Sequence, residues 1–184
     1  MLHDLKKSRA RRHLSDPAYG FLFEDDDSGS VTVLAGTTDS FEPANAQLTG
    51  LAAVRIVGKR MYLSQGLFLN DLAGAVPPHD LATALPALLT LMGGRPLVGY
   101  YLSFLLEILD RSVRALIGTE LPQTRIDVSA LYYEQKSRNF TKEAVDLRFG
   151  SILADLGLPE RGPATPRNEA ISIGMIYLKL HAAP

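Results

Sequence analysis

The sequence contains no cysteine, and this absence excludes several kinds of chemistry at once. A disulfide scaffold, a thiolate zinc site, an iron–sulfur cluster and a cysteine nucleophile all need thiol groups. The absence fits a reducing compartment, so we expect a cytoplasmic protein. No apolar run reaches the ~18 residues of a membrane span, and no apolar segment follows the basic N-terminal residues as in a secretory signal. The sequence therefore predicts no membrane partner.

A large net charge of either sign is also missing. Lysine and arginine number 19, and aspartate and glutamate number 20, which gives a net charge of −1. Any affinity for nucleic acid must therefore come from a local patch and not from the field of the whole chain. Hydrophobic residues make up 46% of the 184 residues, which is typical of a globular protein of one main domain.

The first 29 residues differ from the rest in the grouping of their charges. Five basic side chains come first, at Lys6, Lys7, Arg9, Arg11 and Arg12. An acidic run follows at residues 24–27. We predict a basic N-terminal helix and an acidic loop in residues 1–29, and the main domain in residues 30–184. The two blocks either remain solvated and attract each other, or the basic helix binds phosphate or a protein partner.

From residue 31 onward, short β-branched runs give way to leucine-rich stretches with helical spacing. Three predicted strands come first, at Val31–Leu34, Leu51–Val57 and Arg60–Leu69, with a hairpin turn at Gly58 and Lys59. Helices and strands then alternate: a helix at 81–92, a strand at 96–99, a helix at 101–116, a strand at 126–128, and helices near 149–156 and 167–180. The order βββαβαβαα predicts an α/β fold with a mixed sheet flanked by helices.

Three segments carry a resemblance to a known family. They are VLAGTTDSFEP at residues 33–43, RPLVGYYLSFL at 95–105, and the stretch from Asp155 to Leu180. Their flanking residues resemble the motifs of the DEDD 3′–5′ exonuclease superfamily, which are nucleases similar to proofreading ε subunits. The resemblance covers roughly residues 30–181 and implies a ribonuclease-H-like fold.

The resemblance also identifies the positions that match the family's catalytic residues, and most of them are substituted. These positions are Ala35, Thr37, Leu105, Ala164 and Glu169. The family's Asp, Glu and Asp fall on the first three, its His on Ala164, and its last Asp on Glu169. Two-metal hydrolysis needs several carboxylates around Mg²⁺ or Mn²⁺ ions ~3.5–4 Å apart. The resemblance therefore implies no catalytic residue and no cofactor, with Glu169 as the one remaining metal ligand.

The leading hypothesis is a catalytically inactive exonuclease-like protein that binds a single-stranded 3′ end or a protein partner. Tyr100, Tyr101 and Thr38 are the candidate nucleic-acid contacts, since aromatic rings stack on unpaired bases. An aromatic pair between a strand and a helix is also typical of a half-buried core.

Two alternatives remain open. One is an active exonuclease that needs Mg²⁺ or Mn²⁺ and has relocated ligands, drawn from Asp39, Glu42, Glu107 and Asp110. We expect Asp39 in a turn, and Glu107 on the far side of its helix, roughly 200° from Leu105. The other is a regulatory or structural subunit that docks on its partner through the basic N-terminal helix.

Overall fold

A computed structural model of the chain describes residues 2–69, 81–139 and 145–182. The helices are α1 (Leu2–Arg12), a 3-10 helix (Pro17–Phe23), α2 (Leu81–Met92), α3 (Leu102–Ile117), α4 (Val128–Asn139), α5 (Phe149–Asp155) and α6 (Pro166–Ala182). The strands are β1 (Ser30–Thr38), β2 (Leu48–Val57), β3 (Arg60–Leu69), β4 (Leu97–Gly99) and β5 (Arg125–Asp127). Within the described ranges, no helix is both long and apolar enough to cross a membrane.

The five strands form one mixed sheet in the order β3-β2-β1-β4-β5. The first three strands pair antiparallel, whereas β1 with β4 and β4 with β5 pair parallel. Gly58 makes the β2–β3 hairpin turn with φ +57°, a conformation that glycine adopts at little cost. The predicted α/β fold with a mixed sheet is confirmed, and β3 has the predicted bounds.

Helices cover both faces of the sheet, because successive side chains of a strand point to opposite faces. Leu34 and Ala53 belong to an apolar cluster that includes the buried side chains of α2 and α3. Val33, Ala35 and Val54 belong to a second cluster with the buried side chains of α4, α5 and α6. The alternation in β1 thus gives each of its residues a defined helical neighbour.

The structure adds one helix, α4, that the predicted order βββαβαβαα does not contain. It begins directly after β5, where Asp127 Oδ1 accepts hydrogen bonds from the Ser129 backbone N–H and hydroxyl. Among the side chains of this helix that the structure describes, only those of Val128, Ser129 and Tyr132 are buried, so its apolar face is a single turn long. A helix with so short an apolar face leaves little periodic signal in the sequence.

The N-terminal segment packs on the end of α3 and on the core beneath it. The Ser15 N–H donates to the Ile117 carbonyl at 2.9 Å, and the side chains of Leu22 and Phe23 are buried in the core cluster. The expected attraction between the basic and acidic blocks takes the form of an ion pair between Lys7 and Asp25.

Candidate binding cleft

A cleft of about 520 Å³ opens where the C-terminal end of β1 meets the start of α3 and the first turns of α6. Most of the site positions proposed from sequence line it: Ala35, Thr37, Thr38, Tyr100, Tyr101, Leu105 and Glu169. Gly36, Phe41, Phe104 and Ile173 complete the lining. The fold therefore gathers into one cleft residues that lie up to 138 positions apart in the chain.

Ala35 and Thr37, the two β1 positions that match catalytic carboxylates of the family, have small side chains that already contact their neighbours. Ala35 is 2% exposed and packs in the same apolar cluster as Ala170 and Ile173 of α6. Thr37 Oγ1 lies 2.9 Å from the Thr49 hydroxyl, which donates to it from the neighbouring strand β2. The wall formed by β1 thus contributes a methyl group and a hydroxyl that is already hydrogen-bonded.

Leu105 forms the apolar floor beside them. Its side chain is 6% exposed, and its Cδ1 would lie 2.6 Å from a Cβ added at Gly36. Real Cβ atoms almost never come that close to another heavy atom. The glycine therefore makes room for the leucine, and the two positions are sterically coupled.

Among the described residues, Glu169 is the only carboxylate that lines the cleft. It lies in the first turn of α6, where the Asn168 N–H donates to the Thr165 hydroxyl at 3.2 Å. A Cβ at Gly50 would lie 2.7 Å from Pro166, so the start of α6 packs tightly on β2. Burial raises the pKa of Glu169. Among the described residues, none forms a hydrogen bond or ion pair with this carboxylate.

Ala164 does not line the cleft, unlike the other positions that match the family's catalytic residues. It is exposed and borders a second cavity of about 340 Å³ between α5, the loop before α6 and α6 itself. Within the described part of the chain, Glu169 is the one residue common to the linings of both spaces. The position that matches the family's histidine thus borders a different space from the cleft that the other four positions line.

The two tyrosines have different surroundings. The Tyr100 hydroxyl donates to the Leu147 carbonyl at 2.8 Å, and its ring lies 4.9 Å from that of Phe149. Burial, with a smaller effect from the adjacent Tyr101, raises the pKa of Tyr100 to about 12. Tyr101 is 55% exposed, and its ring meets that of Tyr100 edge to face at 4.6 Å. The side chain of Tyr100 is therefore held by contacts within the protein, whereas the side chain of Tyr101 faces the cleft.

The third candidate contact, Thr38, also forms a hydrogen bond within the protein. Its hydroxyl donates to the Ser40 carbonyl at 2.8 Å. That bond fixes the first turn of the loop that follows β1. Thr38 therefore helps to shape the rim of the cleft.

Sequence reasoning missed Phe41 and Phe104. Phe41 is 94% exposed in the loop after β1, and only two other large apolar side chains of the described residues, Tyr101 and Tyr133, are classed as exposed. Arg111 holds this loop by donating to the carbonyls of Ala44 and Ala46. A phenylalanine between serine and glutamate in a turn was the available signal, since such turns are usually polar.

The four acids considered as relocated ligands lie outside the lining of the cleft. Asp39 accepts from the Gln47 N–H at 2.8 Å in the turn, as expected. Glu42 and Glu107 are exposed. Asp110 is buried, accepts from the Leu121 N–H at 3.0 Å, and has a pKa raised by burial. Within the described part of the chain, no group of three or more acidic or histidine side chains is placed to hold a metal ion.

Known structures share this architecture, although no family profile and no curated protein matches the sequence. Cell-death related nuclease 4 (CRN-4) superposes with a TM-score of 0.65 at 13% identity, over 83% of this chain and 63% of that one. E. coli exonuclease I in complex with a dT13 oligonucleotide gives a TM-score of 0.58 at 11% identity, over 83% of this chain and 41% of the enzyme. An exonuclease I–SSB-Ct complex gives 0.55 at 12% identity, over 84% and 41%.

The fold is therefore that of the ribonuclease-H-like exonucleases, as the sequence resemblance implied. The chain is exonuclease-like in architecture, and it spans less than two thirds of CRN-4 and about two fifths of exonuclease I. At 11–13% identity the likeness concerns the fold. The activity of this chain has to be argued from its own cleft.

Proposed function

We propose that this exonuclease-like protein does not hydrolyse nucleic acid and instead binds the unpaired 3′ end of a single strand in its cleft. The observation that carries the proposal is the lining of the cleft. Alanine, threonine and leucine stand at the positions of three metal-binding carboxylates, and aromatic rings surround them. The proposal rests on the register of the motif resemblance in β1, α3 and α6.

The residues present do not fit a two-metal centre. Such a centre needs several carboxylates to balance two divalent ions, and the described residues of the cleft offer Glu169 alone. The Thr37 hydroxyl carries no charge and is already bonded to Thr49. Leu105 places an alkyl group against the backbone where ligands would converge. We therefore derive no hydrolytic step for this cleft.

The same lining suits a planar, uncharged group. A volume of about 520 Å³ lies within the range of roughly 300–1,000 Å³ of small-molecule sites. Tyr101, Phe41 and Phe104 offer ring surface, and unpaired bases stack on aromatic side chains whatever their sequence. Exonuclease I, which shares the fold, has been crystallised with dT13 and dA16 oligonucleotides. These observations together favour a nucleobase as the occupant.

Fluorescence anisotropy of 5′-labelled single-stranded DNA and RNA tests the proposal, in Mg²⁺, in Mn²⁺ and in EDTA, at two salt concentrations. We expect a stable rise that is the same in all three solutions. Because no lysine or arginine of the described ranges lines the cleft, the affinity should weaken only modestly with salt. An oligonucleotide whose 3′ end is paired in a hairpin is the matched control and should bind more weakly.

A fall in anisotropy confined to the metal samples would contradict the proposal and favour the active enzyme with relocated ligands. Assaying each fraction from gel filtration is the control for that outcome, because hydrolysis that does not follow the protein peak points to a contaminating nuclease. Wild-type protein that gives no rise with any oligonucleotide would also contradict the proposal.

That last outcome would favour the docking subunit as the second candidate. One observation supports it: Arg9, Arg11 and Arg12 of α1 are exposed. A partner captured by the full chain should then be lost when these three arginines are replaced by glutamine.

A further inference from the structure

Tyr101 has a backbone conformation that its side chain disfavours. It is the single non-glycine residue with positive φ in the described ranges, at φ 46° and ψ 44°. In this left-handed region the Cβ of an L-residue crowds the following carbonyl, so glycine and asparagine are the usual occupants. A tyrosine here needs an explanation from its surroundings.

The surrounding contacts impose the conformation on both sides of Tyr101. The Leu102 N–H donates to Asp127 Oδ2 at 2.9 Å, which fixes the start of α3 against the end of β5. The Phe104 N–H donates to the Tyr101 carbonyl at 3.0 Å. On the other side, Tyr100 is held by its bond to Leu147 and by the ring of Phe149. The chain would take this path with asparagine or glycine at position 101 as well.

The tyrosine side chain is therefore not explained by the backbone. Its ring is 55% exposed, so burial in the core does not explain it either. The ring lies edge to face against Tyr100, which leaves its outer surface toward the cleft, and Phe41 lines the same space. Strain that surrounding structure maintains around an exposed side chain is typical of residues that contact ligands.

We propose that Tyr101 is the residue that stacks on the terminal base, with Tyr100 as the positioning residue that supports its ring. This inference rests on the proposed function and adds to it the side chain that binds and the chemical class it binds, a planar heteroaromatic ring. The left-handed backbone holds the tyrosine ring in the cleft before the base arrives.

Two substitutions of Tyr101 distinguish the effect of the backbone strain from the effect of the aromatic ring. Tyr101→Asn removes the ring and relieves the strain, whereas Tyr101→Leu removes the ring and keeps the strain. We expect both to weaken binding of a single-stranded oligonucleotide by about fivefold to 150-fold, the range for loss of one base–aromatic stack. The asparagine variant should melt about 2–4 °C above the leucine variant. Tyr101→Phe should keep the wild-type affinity.

The ligand supplies the second half of the test. An oligonucleotide with an abasic 3′-terminal nucleotide should bind wild-type protein more weakly than the intact oligonucleotide does, by the same factor as the Tyr101 substitutions cause. The Tyr101→Leu variant should bind the abasic and the intact oligonucleotide equally. Tyr133→Leu is the matched control, because Tyr133 is 51% exposed and lies outside the cleft. This control should leave affinity unchanged.

The two proposals fail in different ways. If wild-type protein binds and both Tyr101 variants bind equally well, the inference about Tyr101 is wrong and the proposed function stands. If abasic and intact ends bind wild-type protein equally, the stacking role is also wrong. If wild-type protein binds no oligonucleotide, both proposals are wrong.

Discussion

The two ends of β1 show opposite uses of side chains. At its N-terminal end, Arg95 Nε lies 2.8 Å from Asp26 Oδ2 and donates to the Ser30 hydroxyl at 3.0 Å. The same guanidinium donates to the carbonyls of Leu91 and Met92. At the C-terminal end, Glu169 has no partner among the described residues, and Phe41 is almost fully exposed.

This difference suggests that the N-terminal end of β1 contributes to stability and that the C-terminal end contributes to binding. At the N-terminal end, the Asp26 carboxylate and the Arg95 guanidinium are paired with each other, which stabilises the junction of β1, α2 and the acidic loop. At the C-terminal end, the hydroxyls of Thr37 and Thr38 are hydrogen-bonded, but the Glu169 carboxylate has no partner among the described residues, and Tyr101 retains a strained backbone. A strained backbone and a carboxylate without a partner at the same end of β1 fit the binding role proposed for the cleft.

The largest expected effect comes from restoring a carboxylate at the floor of the cleft. Leu105→Asp would bury an unpaired charge at a position that is 6% exposed and pressed against Gly36. We expect a loss of about 3 kcal/mol or more in the free energy of unfolding at pH 7, measured by urea denaturation. Leu105→Met, which keeps the volume, should lose less than about 1.5 kcal/mol.

The full restoration adds Ala35→Asp, Thr37→Glu, Glu169→Asp and Ala164→His to Leu105→Asp. Since Ala164 borders the other cavity, we expect its histidine to add nothing to Mn²⁺ affinity. A quadruple variant without Ala164→His that folds and still fails to bind Mn²⁺ would contradict the register of the motif resemblance. Leu105→Asp with wild-type stability would contradict the packing described for the floor.

A smaller effect is expected at the opposite end of β1. Asp26 accepts from the Ser28 N–H at 2.8 Å, and its bonds with Ser28, followed by the charge of Arg95, lower its pKa. A lowered folded-state pKa gives stability that is fully present above the unfolded value, about 3.9, and is lost as the pH falls through the folded value. Asp26→Asn should cost about 1–2 kcal/mol at pH 7 and much less near pH 2.

Urea denaturation at both pH values measures this difference. The control is Asp27→Asn on the neighbouring exposed carboxylate, which should change stability by less than about 0.5 kcal/mol. An Asp26→Asn variant with the same deficit at both pH values would show that shape, and not charge, accounts for the loss.

The sequence predicted the parts of the fold and of the cleft that depend on local order. Strand alternation fixed the bounds of β3, and the ungapped match around residues 33–43 placed Ala35 and Thr37 on one face of β1. Both residues line the cleft together with Leu105 and Glu169. A strand's periodicity determines which side chains share a face without any knowledge of distant contacts.

The misses depend on contacts between distant segments. Phe41 joins the cleft because Arg111, on α3, holds its loop, and nothing near residue 41 encodes that bond. The α4 helix depends on capping by Asp127 and on one buried turn. The strain at Tyr101 arises from a bond between Leu102 and Asp127, 25 residues apart, which a pattern of neighbouring residues does not reveal.

The smallest expected effect is a gain in stability, and it concerns Glu169 in the cleft. Burial raises the folded-state pKa of Glu169 above its unfolded value, so stability falls as the pH rises from the unfolded value through the folded one. Glu169→Gln removes this penalty and should gain about 0.5–1 kcal/mol at pH 8, with no gain at pH 4. Glu107→Gln, on an exposed face of α3, should change neither value. A loss of stability in Glu169→Gln at pH 8 would mean that the charge is already matched inside the protein. The contrast between the two ends of β1 would then be wrong, because it depends on Glu169 having no partner.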